Sequence, residues 1–172
     1  MLRLTLAFVD IMLHRRGPDS LPSSQFLFWL LLAAMLASSF AALVVDGVTP
    51  LGIAVVLSAA GFELWFVWAV LRLYERERRF RQTMSAVLGT DAIIGVLTLP
   101  LIAFADPPPA GSQEISFAGF AFLALVVWSI DITAFVLSRA LDRPYLLTLV
   151  IVLAYFLLMY IFQASLLQLR TA

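Results

Sequence analysis

"QFLFWLLLAAMLASSFAALVVDGVTPLGIAVVLSAAGFELWFVWAVL", residues 25–71, consists of two apolar runs, 25–45 and 51–71, parted by "DGVTP" at 46–50. A hydrocarbon layer about 30 Å thick takes roughly 20 helical residues at a rise of about 1.5 Å each. Each run is therefore long enough to cross once, and the Gly and Pro between them suit a tight return. Three more runs of the same kind follow at 83–104, 115–137 and 145–167. The fold class that follows is all-α: a polytopic membrane bundle of five transmembrane helices.

Composition agrees with that class. The chain has 172 residues, 63% hydrophobic and 13% charged, against about half apolar and a quarter charged in soluble domains. It has no cysteine and a single histidine, His14. Disulfides, thiolate nucleophiles, Cys-based metal centres and multi-His sites are thereby excluded, and no metal or cofactor is expected. Glycine-rich phosphate loops, HExxH and a nucleophile elbow are all missing from the sequence. The connecting segments are too short and too poor in acids and histidines for an interfacial active site, so the sequence leans away from an enzyme.

Residues 1–24 form a separate leader to the 25–172 transmembrane domain. In "MLRLTLAFVDIMLHRR", Leu2, Leu6, Val9 and Leu13 fall on one helical face, with Phe8 and Met12 as neighbours, while Arg3, Asp10 and His14 fall on another. That pattern predicts an interfacial amphipathic helix lying on the bilayer. The Pro residues of "GPDSLPSS" end it.

All eleven basic residues are arginines, and their placement orients the chain. Arg3, Arg15 and Arg16 precede the first span. Arg72, Arg76, Arg78, Arg79 and Arg81 separate the second from the third, and Arg139 and Arg143 the fourth from the fifth. In a five-span chain these regions share one side, and only Arg170, after the last span, falls on the other. The positive-inside rule makes that side cytoplasmic, with the N-terminus inside, the C-terminus opposite, and the bacterial inner membrane as the expected location. The arginine rim attracts anionic headgroups. Glu75 and Glu77 interleave with it, and i,i+4 pairs Glu75–Arg79 and Glu77–Arg81 predict a self-neutralised helical extension and no nucleic-acid partner.

Three acids lie within spans: Glu63, Asp91 and Asp131. A charged group at membrane depth costs at least about 2.5–3.5 kcal/mol and calls for a reason. On the predicted boundaries Glu63 and Asp91 lie about 12 Å deep and Asp131 about 9 Å, all in the cytoplasmic half. No Arg, Lys or His shares their depth. Facing one another, they favour protonated forms through desolvation and mutual repulsion, as in a proton or cation relay. Facing apart, they are structural hydrogen-bonders that tie helices together. Tyr155, about 15 Å into the last span, is a candidate donor to one of them.

In the first span Ala34, Ser38 and Ala42, beside Ala33, Ala37 and Ala41, make small-residue rows that allow close helix approach. They suit packing within the chain, a homo-oligomer or a membrane-protein partner.

The stretches "FRQTMSAVLGTDAIIGVLTLPL" (80–101) and "VVWSIDITAFVLSRALDRPYLLTLVIVLAYFLL" (126–158) resemble the small bacterial polytopic proteins grouped with the Yip1-domain family. The shared order is an Arg-rich loop leading into a Gly-Thr helix, then an "RAL…P" turn before a last helix bearing "AYFLL". The resemblance covers about the second half of the chain and implies five spans and a cytoplasmic N-terminus. It places no functional residue, and the aspartate-led "DLYGP"-type signature of the eukaryotic members is missing here.

Two functional expectations follow. The first is an accessory, assembly or scaffold protein of the membrane, working through helix packing and its arginine rim. The second is a small transporter or ion-conducting protein in which Glu63, Asp91 and Asp131 line a cavity open to the cytoplasm.

Overall fold

In the computed structural model, which describes residues 2–104 and 116–168, the chain is a bundle of six α-helices. They are α1 (Leu2–Met12), α2 (Gln25–Asp46), α3 (Pro50–Leu73), α4 (Phe80–Ala103), α5 (Phe117–Leu141) and α6 (Tyr145–Gln168). The last five are each long and apolar enough to cross a membrane. The Pro-rich connection and the start expected for the fourth span at 115 lie outside the described residues.

Capping chemistry places the helix ends. The Ser24 hydroxyl accepts from Leu27 N at the start of α2, and the Ser116 hydroxyl from Gly119 N at the start of α5. Thr49 accepts from Gly52 N at 3.0 Å, with Pro50 preset at the first position of α3. α2 ends where Gly47 takes φ 108°, a conformation that an L side chain rarely adopts.

α4 is the centre of the bundle. It packs most extensively on α2 and also meets α1, α3 and α5, and every residue from Thr83 to Thr90 is buried. Two glycines permit the closest approaches. A Cβ at Gly95 would meet Ser38 Oγ at 2.5 Å, and one at Gly89 would meet the Phe8 ring at 2.1 Å. Of the Ala34, Ser38 and Ala42 row of α2, Ser38 thus packs inside the chain, whereas Ala34, like Ala33 and Ala37 of the neighbouring row, faces outward.

α1 forms as expected but buries a different face. Ala7, Phe8, Ile11 and Met12 join the core against α4 and α5, whereas Leu6, Val9 and Leu13 stay exposed. The helix has two apolar faces, and the hydropathy pattern alone singled out the outer one. The leader therefore shares the core of the bundle.

One end of the bundle gathers the arginines. Arg76 and Arg79 each reach Asp142 at 3.1 Å, and Arg79 also donates to the carbonyls of Arg139 (3.3 Å) and Ala140 (3.0 Å). Arg72 lies over Trp68, Arg139 over Phe135 and Arg143 over Tyr74, at 5.0, 5.5 and 5.5 Å. Arg78 and Arg81 are exposed. The expected helical extension with Glu75–Arg79 and Glu77–Arg81 pairs does not form. The helix stops at Tyr74, Glu75 turns left-handed at φ 58°, and a 3-10 turn follows at Glu77–Arg79. Without a continuous helix the i,i+4 spacing no longer brings those side chains together.

Candidate functional site

Small residues make room in the middle of the bundle. On α3 the positions Val56, Ala59, Ala60 and Glu63 follow i, i+3, i+4, i+7 spacing and share a face. Opposite them stand Met35 and Ser39 of α2, Asp91 of α4, Ser129 and Thr133 of α5, and Tyr155, Phe156 and Gln163 of α6. Together these line a cavity of about 320 Å³. Every transmembrane helix contributes to it.

Glu63 and Asp91 meet in this cavity within hydrogen-bonding range of each other. Tyr155 stands beside both carboxyls. The Oδ2 oxygen of Asp91 is sealed from solvent and has no hydrogen-bond partner. The neighbouring hydroxyls are committed to their own helices: Ser39 donates to Met35 O at 3.0 Å and Thr133 to Ser129 O at 2.8 Å. Two carboxyl groups this close interact strongly, so they act as one site and not as two.

An aromatic wall supports the site from α3 and α6. The Tyr155 ring stacks on Phe62 at 5.7 Å and lies 4.9 Å from Phe66 and 5.2 Å from Phe156, while Phe62 also stacks on Phe162 at 6.3 Å. Packed on three sides, Tyr155 has little freedom to turn away from the acids.

The cavity leads away from the arginine end. Ser39, Val55 and Val56 line both it and a second cleft of about 700 Å³, which runs past Gly47, Thr49 and Gly52 at the opposite end of the bundle. Toward the arginines the way is filled by Leu31, Val67, Leu71, Met84 and Leu88, all of them buried. The cavity therefore adjoins the cleft at the end of the bundle away from the arginines. Glu63 lies about 15 Å from the arginine end of α3 (63 to 73) and Asp91 about 16 Å from that of α4 (80 to 91). Both sit at mid-helix, because the helices extend past the predicted ends at 71 and 83.

Asp131 is placed elsewhere. Successive helical residues turn about 100°, so Asp131 points about 200° away from Ser129 and Thr133 on the cavity face of α5. Its Oδ1 accepts from the Tyr145 hydroxyl at 2.6 Å, and its Oδ2 lies 3.4 Å from His14 Nε2. His14, at φ 59°, also sets its ring edge-on to Phe135 at 4.4 Å. This cluster clasps α1, α5 and α6 at the surface of the bundle. His14, Phe62 and Ser39 went unnoticed as partners in the sequence. Phe62 was legible in principle, since it precedes Glu63 and repeats at Phe66 on one helical face.

The class defined by this fold and site is an integral membrane protein with a carboxyl pair inside its bundle. Compared with protein-family models, with curated proteins and with solved structures, the chain finds no match.

Proposed function

We propose that the protein is a small membrane transporter in which Glu63 and Asp91 form a proton-exchanging, cation-accepting site. The observation that carries this reading is the convergence of two acids from separate helices, each at mid-helix, on one cavity, with one carboxylate oxygen unpartnered. Structural hydrogen-bonders end on a backbone carbonyl or a hydroxyl, as Thr90 does on Ala86 O and Val87 O. This pair instead faces open volume. An intramembrane acid that is neither paired with a base nor packed over marks an ion pathway.

The arginine rim orients the molecule with its N-terminus in the cytoplasm, so the large cleft opens to the exported side. α3 meets α2, α4 and α6 each along a narrow line of contact. The Yip1-like resemblance rests on hydropathy order and adds no residue role to this reading.

Purified protein in proteoliposomes tests the proposal. An imposed pH gradient should collapse faster than in empty vesicles, and Glu63→Gln or Asp91→Asn should each slow the collapse at least about tenfold. Asp131→Asn, outside the cavity, should leave it near the wild-type rate. Equal rates in all four proteins would refute the assignment.

A second reading, an accessory or scaffold protein, draws on the outward-facing Ala33, Ala34 and Ala37 of α2 beside the exposed Trp29. Small residues on a lipid-exposed face suit close approach by another helix. A partner copurifying in mild detergent and lost on Ala37→Phe would support it, and a protein that runs alone under several gentle conditions would count against it.

A further inference from the structure

We infer that the ligand of the Glu63–Asp91 cavity is an organic monocation, an amine or quaternary ammonium with apolar substituents. This rests on the proton-exchanging reading of the same site and specifies its substrate class. Three observations point to it.

The first is volume. About 320 Å³ lies at the lower end of the range for small-molecule sites and far exceeds what one bare metal ion fills.

The second is the lining. A hard cation takes about six or more oxygen ligands at about 2.0–2.6 Å. Among the described residues there is no group of three or more acids and histidines to begin such a shell. Besides the neutral polar groups of Ser39, Ser129, Thr133 and Gln163, what surrounds the two acids is apolar or aromatic: Val55, Val56, Ala59, Ala60, Met35 and the rings of Tyr155 and Phe156. An ammonium with hydrocarbon arms needs one or two anionic oxygens for its charge and apolar or aromatic surface for its arms. Aromatic faces attract such cations further, and this is a recurrent way of recognising quaternary ammonium groups. Phe62, stacked on the Tyr155 ring, and Phe66, tilted against it, hold that ring in place behind the site.

The third is access. The adjoining cleft is lined by Ala42, Leu43, Leu51, Ile102 and Phe122, with few polar groups. It suits an amphiphilic cation better than a hydrated inorganic one.

Charge balance gives the exchange step. The groups facing the cavity that titrate are Glu63 on α3, Asp91 on α4 and Tyr155 on α6, while α2 and α5 present only Ser39, Ser129 and Thr133. The empty site costs least with both carboxyls neutral and the loaded site with one ionised, because each then carries no net charge. Binding one monocation therefore breaks one carboxyl O–H bond and releases one proton to the cleft.

Titration calorimetry with tetraethylammonium, on the full chain in nanodiscs and in two buffers of different ionisation enthalpy, tests this. The expected result is saturable binding with release of about one proton per cation, weakening about tenfold per pH unit on the acid side. Glu63→Gln and Asp91→Asn should each abolish it, with melting and elution profiles confirming that both remain folded. Tyr155→Phe, which keeps the ring, should retain binding within a few fold, and Tyr155→Leu should weaken it at least about tenfold. Proton flux that persists while tetraethylammonium neither binds nor inhibits would overturn the organic-cation assignment and leave the proton-exchanging site standing. Absence of both flux and binding would overturn both.

Discussion

At the scale of single residues, the distinction that matters is between acids with a partner and acids without one. Asp131 ends on Tyr145 and His14, Asp142 on Arg76 and Arg79, and Asp10 on Arg16. Asp91 keeps one oxygen unpartnered against the Glu63 carboxyl. Depth counted along the sequence grouped Asp131 with the other two, and depth is only half of a position. The other half is rotation, which Ser129 and Thr133 already implied through their place on the opposite face of α5. Glycine supplies a second residue-scale test. Gly89→Ala drives a Cβ into the Phe8 ring, and overpacking of this kind costs about 1–3 kcal/mol. The expected result is a lower melting temperature in detergent, with Gly61→Ala unchanged because a Cβ there would meet nothing within 4 Å.

Among the elements, the five spans were readable because hydropathy in a bilayer admits few alternatives, and the starts expected at 25 and 51 fall within one residue of the capped starts of α2 and α3. The faces were less readable. α1 has apolar residues on two sides, so its moment did not reveal that Ala7, Phe8, Ile11 and Met12 enter the core. The α3–α4 connection was misread because i,i+4 charge pairing presumes a helix that stops at Tyr74. Arg79 now joins the start of α4 to the end of α5 through two carbonyls and Asp142. A hydrogen bond to a charged group contributes about 1.5–3 kcal/mol, reduced here by the partial exposure of both partners. Arg79→Ala should therefore destabilise the bundle by about 1 kcal/mol, read as a shift of a few degrees in melting. Arg78→Ala, at an exposed position, should shift it by less than half as much.

For the whole molecule, charge and cavity are arranged at opposite ends. Arg72, Arg76, Arg78, Arg79, Arg81, Arg139 and Arg143 lie at one end, and the cleft beside the Glu63–Asp91 cavity lies at the other. The arginine asymmetry was plain in the sequence, whereas the direction of the cavity was not, since it depends on which small residues of α2 and α3 face inward. The chain has no cysteine, so single introduced thiols report topology without background. Gly61→Cys at mid-membrane should resist an impermeant maleimide, Val48→Cys should react from outside intact cells, and Arg78→Cys only after permeabilisation. Reaction of Arg78→Cys in intact cells would reverse the orientation proposed here.

The central claim, that Glu63 and Asp91 are one proton-sharing unit inside the bundle, is most directly tested by the infrared spectrum of the purified protein. A carbonyl stretch from a protonated carboxyl should be present at neutral pH, shift on hydrogen–deuterium exchange, fade at high pH, and be missing from the Glu63→Gln/Asp91→Asn double variant. A spectrum identical in the wild type and the double variant across that pH range would contradict it.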